Sequence, residues 1–118
     1  MIRAIVYFPS GAQRAVEVAR EPADIRRGLA GRPRVDGGML FDMGRVAEHR
    51  FWMKDTLVAL DMIFINASWI VVGVVEQATP GDETRRGVGA PSRYVLEVPG
   101  GWARRHGVAA GQRVTVVV

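Results

Sequence analysis

"LDMIFI", residues 60–65, is the stretch on which the fold turns. Successive side chains of a strand project to opposite faces, so Leu60, Met62 and Phe64 share one face and Asp61, Ile63 and Ile65 the other. Both faces are apolar except for one carboxylate. A strand of that kind belongs in the middle of a sheet, with material packed on each side. "NAS" (66–68) then turns the chain, and "WIVVGVVEQ" (69–77) returns beside it as a second strand.

Working outward, "IRAIVYF" (2–8) and "RAVEV" (14–18) flank the turn formers of "PSGA", which predicts an opening hairpin. In "REPADIRRGLAGR" (20–32), Pro22 suits a first helical turn, Asp24 supplies early negative charge, Arg26 and Arg27 sit where cations are favoured, and Gly28 stops the run. The helix expected there covers Pro22 to Arg27. "GGMLFDM" (37–43), "HRFWMKD" (49–55) and "RYVLEV" (93–98) read as further strands, "PGGWARRHG" (99–107) as a short helix capped by Gly107, and "VAAGQRVTVVV" (108–118) as a turn and a last strand. Residues 78–92, "ATPGDETRRGVGAPS", form the one long loop, the kind of segment that is functional or mobile. The expectation is a single β-rich domain over residues 1–118. Its class is α+β and β-dominated, a small mixed sheet of about eight strands curling into a barrel-like domain with two short helices.

Composition narrows the chemistry. There is no cysteine, which excludes disulfides, thiolate catalysis and Cys-ligated zinc. His49 and His106 stand far apart with no metal-ligand spacing, so no metal is expected, and no phosphate loop, nucleophile elbow or dinucleotide fingerprint announces a cofactor. Net charge is +4, and the basic clusters "TRRG" (84–87) and "ARRHG" (103–107) lack interleaved aromatics. They read as solvated charge in preference to a nucleic-acid footprint. The longest apolar runs, Trp69–Val75 and Val114–Val118, are too short to span a bilayer, and the N-terminus has no signal-peptide pattern. The expected setting is soluble and cytoplasmic, or exported if a leader is removed ahead of Met1.

Candidate site residues are charges set inside apolar motifs. "FWMKDT" (51–56) carries Lys54, the only lysine among sixteen basic residues. As a strand it would put Trp52 and Lys54 on one face and Phe51 and Met53 on the other. Arg32, Asp55, Asp61 and Glu97 are embedded in the same way, whereas Met39, Met43, Met53 and Met62 read as core fillers. A buried unpaired charge is costly, so these groups either pair, for example Arg32 with Glu97 and Lys54 with Asp61, or converge on a pocket. A pocket beside Trp52 would suit a small polar or anionic ligand: the indole stacks, Lys54 and Arg32 hold an anion, and carboxylates accept hydroxyls. A small hydrolase using Asp61 and Glu97 as acid and base is the alternative, although no spacing fixes their separation. A structural module, or one that meets nucleic acid through its basic surface, is the third reading.

"RRGLAGR" (26–32), "GGMLFDM", "FWMKDT", "ALDMIFI" (59–65) and "YVLEVPGG" (94–101), in that order, resemble the domain-of-unknown-function 192 family. The resemblance spans nearly the whole chain and implies a small, compact, β-dominated domain without an assigned biochemical role. Four positions depart from the family pattern: Asp55 for asparagine, Ala59 for proline, Ala30 for methionine and Glu21 for threonine. Asp55 matters most, because an amide donates and accepts whereas a carboxylate only accepts. If that position only shapes a turn, aspartate serves equally well.

Overall fold

The computed structural model describes residues 1–118. Seven strands and two helices follow in the order β1 (Ile2–Tyr7), β2 (Gln13–Ala19), α1 (Pro22–Arg27), β3 (Met39–Ala47), β4 (Leu60–Ile65), β5 (Val71–Ala78), β6 (Ser92–Pro99), α2 (Trp102–Arg105) and β7 (Thr115–Val117). They form one mixed sheet in the order β5-β4-β6-β3-β2-β1-β7. Every pairing is antiparallel except β2 with β3, and that connection passes through α1, as a parallel pair needs a crossover. The sheet curls until its two edges meet at one end. There Ile70 bridges Arg113, the Val71 N–H donates to Gln112 O at 2.8 Å, and the Val114 N–H donates to Trp69 O at 2.9 Å. The ladder stays open elsewhere, so the shape is barrel-like without being a closed barrel.

Alternation along the central strands divides the apolar residues into two cores. Ile63 and Ile65 of β4, Leu40, Leu96 and Val98 pack inside the curl with Val6, Val16 and Trp102. Leu60, Met62 and Phe64 of the same strand pack on the outer face with Met39, Phe41, Val95, Leu29 and Met53. All six residues of β4 are buried, as expected of a strand covered on both sides. Two consecutive glycines let β3 start in a crowded gap: a Cβ on Gly37 would lie 2.0 Å from Ala15 O, and one on Gly38, at φ 155°, 2.3 Å from Glu97 O.

Helix α1 has the predicted bounds. The segment 49–55 is not a strand, which corrects the count of strands from about eight to seven. Its backbone makes a single bridge, Phe51 with Arg86, and Met53 N–H donates to Asp82 O at 2.8 Å. The long loop thus serves as its partner instead of a sheet edge. Side chains of the segment still alternate in burial, with Met53 buried and Trp52 and Lys54 exposed. A period-two pattern reports that one side is covered, and a loop can cover it as well as a strand.

Candidate functional site

On the outer face, α1 and its following turn stand opposite residues 50–56, leaving a cleft of about 610 Å³ between them. Phe41 and Met43 of β3 and Glu97 of β6 line it from the sheet, and Arg85 reaches it from the long loop. The wall formed by α1 ends at Gly28, whose φ of 49° favours glycine and whose missing Cβ would lie 3.3 Å from the Phe41 ring. Phe51 meets Phe41 edge-on, with ring centroids 4.9 Å apart. The inner lining is therefore apolar, with two aromatic rings at its centre.

The rim carries positive charge. Arg27 is paired with Asp24 at 2.8 Å, but Arg26, Arg50, Lys54 and Arg85 form no ion pair. Arg85 lies over the Trp52 indole with its guanidinium carbon 4.3 Å from the ring centroid, and Lys54 Nζ is 5.4 Å from the same ring. The indole face thus holds cations at the opening, a modest attraction when exposed. The neighbouring Asp82 fastens the loop, accepting from the Thr84 N–H at 2.9 Å and from Arg86 at 3.0 Å, which together hold its carboxyl down to about 2.

Glu97 is the unusual group. It pairs with Met39 on one side and Met62 on the other, both fully buried, and is itself only 4% exposed. No hydrogen bond or ion pair reaches its carboxyl, and loss of hydration alone pushes it up to about 8. Burial therefore favours its neutral form. Its small remaining exposure is to the cleft.

Asp61 is buried too, but on the inner face and fully satisfied. One carboxylate oxygen accepts from the N–H groups of Gln77 (2.8 Å) and Gly101 (3.1 Å), and the other from Ala103 (2.9 Å). These bonds tie β4 to the irregular pairing of β5, where Gln77 has a φ of 47°, and to the first turn of α2. Asp61 pairs with Val98 and Met62 with Glu97, so the two carboxylates point to opposite faces of the sheet. They cannot act as acid and base in one cleft, and the Asp61–Glu97 hydrolase arrangement is corrected accordingly.

The remaining candidates separate as well. Arg32 makes a two-pronged pair with Glu17, its second nitrogen 3.3 Å from Oε1, and does not line the cleft. The pairs expected from the sequence, Arg32 with Glu97 and Lys54 with Asp61, do not form. Asp55 lines the cleft and has a φ of 57°, a left-handed conformation in which aspartate and asparagine are both favoured over other side chains, and its carbonyl accepts from the Gly31 N–H at 2.9 Å. The departure from asparagine is thus compatible with the backbone. Of the six candidates, Trp52, Lys54, Asp55 and Glu97 come together, and Arg32 and Asp61 do not. Sequence reasoning missed Arg26, Arg50 and Arg85, which come from three separate segments. The signals for Arg85 were its place in the one long loop and in the basic cluster "TRRG", which read as solvated charge.

No group of three or more His, Asp or Glu side chains lies close enough to hold a metal ion. No curated protein matches the chain. Two crystal structures are similar to it: one from Sinorhizobium meliloti 1021, described provisionally as a transcription regulator (35% identity, TM-score 0.88, 97% of this chain and 92% of that one), and one from Novosphingobium aromaticivorans DSM 12444, described as a protein of unknown function (32%, TM-score 0.86, 97% and 84%). The DUF192 family model, "Uncharacterized ACR", matches residues 6–116, the same span that carries both the curled sheet and the cleft. The chain belongs to the DUF192 family.

Proposed function

We propose that the outer cleft binds a small amphipathic anion. The observation that carries this reading is the set of four rim cations without acidic partners, Arg26, Arg50, Lys54 and Arg85, around an apolar lining of Phe41, Met43 and Phe51. Exposed cations gathered at one opening attract an anion and raise its local concentration, and the aromatic lining rewards an apolar body. Arg32 and Asp61, engaged elsewhere, have no part in it. Trp52 acts by positioning Arg85 and Lys54 more than as a stacking platform.

A nucleic-acid role, which the description of the Sinorhizobium protein invites, draws less support. Arg86 and Arg104 are paired with Asp82 and Glu76, and helices of six and four residues are too short for a recognition helix. Fluorescence titration with 8-anilinonaphthalene-1-sulfonate tests the cleft reading. Saturable binding is expected, weakened about threefold by each of Lys54→Ser and Arg85→Ser and further by added salt. Absence of saturable binding, or affinity indifferent to both substitutions, would refute it.

A further inference from the structure

The cleft has a polar group at its apolar end that the rim cations do not use. Glu97 is nine-tenths buried or more, lacks any hydrogen-bond partner, and faces the cleft from between Met39 and Met62. Withdrawing a carboxyl from water without a protein partner costs free energy each time the chain folds, and the Glu97 oxygens, though largely withdrawn, keep contact with the cleft, where a ligand can reach them. Apolar replacement would remove that cost. What the position supplies instead is a single O–H on the sheet side of the cleft.

We propose that Glu97 sets the specificity of the cleft: its carboxyl O–H donates to an acceptor oxygen at the apolar end of the ligand, while the ligand's anionic end lies against the rim. The ligand class is then a bifunctional molecule, a carboxylate or phosphate at one end and a carbonyl or ether oxygen at the other, with an apolar spacer. This inference rests on the cleft being the binding site for an anion. The charged groups around Glu97 leave it protonated: Arg26 and Arg27 on α1, Arg50, Lys54 and Asp55 on the opposite wall and Arg85 on the loop all line the cleft, yet none offsets the loss of hydration that raises its pKa, and β3 and β4 present only methionine beside it.

Two probes of similar shape separate the possibilities, 4-acetylbenzoate, with a ketone acceptor, and 4-isopropylbenzoate, without one. Calorimetric titration of the full chain at pH 6 is expected to give about tenfold tighter binding of the ketone, the scale of one hydrogen bond. Glu97→Gln, whose amide also donates, retains the preference, and Glu97→Leu abolishes it. Raising the pH to 9 erases the preference in the wild type but not in Glu97→Gln, a signature that a packing role for Glu97 would not produce. Equal binding of both probes at pH 6 overturns the role of Glu97 and leaves the anion cleft standing. If neither probe binds, the cleft reading fails and this inference falls with it.

Discussion

The two faces of the central sheet each bury one carboxyl group of adjacent strands, and the two groups are accommodated in opposite ways. On the inner face Asp61 accepts three backbone N–H groups from β5 and the start of α2. On the outer face Glu97 has none and avoids the cost of a buried charge by keeping its proton. The register places Asp61 opposite Val98 and Met62 opposite Glu97, so a single residue step decides which regime a carboxyl enters. The difference teaches how a structural acid and a candidate site acid are told apart: by the donors that reach them, since both are buried.

The sharpest break of that comparison is Asp61→Ala. It leaves three N–H groups without their acceptor, that of Ala103 buried and those of Gln77 and Gly101 part-buried, and unfastens the bulge at Gln77 and the start of α2 together. Leaving a buried donor unpaired costs about 1–3 kcal/mol each, and the bonds lost here are charge-assisted. The expected loss is about 5 kcal/mol in denaturant unfolding, a large part of the stability of a domain this size. A loss below about 1 kcal/mol would show that Asp61 is not the fastening described.

Glu97→Gln sharpens the comparison from the other side, and its effect depends on pH. Below the ordinary carboxyl value of 4.5 the side chain is protonated whether the chain is folded or not. Between 4.5 and about 8 the unfolded chain releases the proton while the folded protein keeps it, so wild-type stability falls as pH rises through this window. Above about 8 both forms are ionised and the loss is complete. Glutamine is neutral throughout, so the variant is expected to match the wild type near pH 4 and exceed it by about 4.5 kcal/mol near pH 9. Parallel urea titrations at the two pH values check this, and a stability difference that does not grow with pH contradicts a buried neutral acid.

Much of the fold was legible because it depends on local signals. The alternation in "LDMIFI" assigned each of its six side chains to the face it occupies, and Pro22, Asp24 and Gly28 bounded α1 correctly. Residues 49–55 misled for a physical reason: their alternation is real, but it comes from packing Phe51 and Met53 against the outer core while the loop at 82–86 takes their backbone bonds. The candidate site was less legible. Trp52, Lys54 and Asp55 are neighbours in sequence, so finding one finds all three. Partners from elsewhere could not be read, because the sequence does not say that Asp61 would be satisfied by main-chain donors, that Glu17 would take Arg32, or that a loop would bring Arg85 over Trp52.

The smallest expected effect concerns that last kind of contact, an ion pair separated from Glu97 by Met39 and more open to solvent than either buried acid. Arg32 and Glu17 form a two-pronged pair, but their side chains retain 36% and 22% of their exposure, so solvent screens the attraction. The hydrogen bond from Arg32 lowers the Glu17 carboxyl below its ordinary range, and this stabilisation is present above the unfolded value and is lost as pH falls through the folded one. For a partly exposed pair the whole contribution is about 1 kcal/mol or less, even with favourable geometry. Arg32→Gln is therefore expected to lower unfolding stability by about 0.5–1 kcal/mol at pH 7, with the deficit shrinking below pH 4 as Glu17 protonates in both states. Thermal unfolding at pH 7 and pH 3 measures both numbers. A deficit of several kcal/mol at pH 7 would move Arg32 into the class of Asp61, and would mean that a screened pair can fasten this sheet as firmly as the three backbone donors that Asp61 holds.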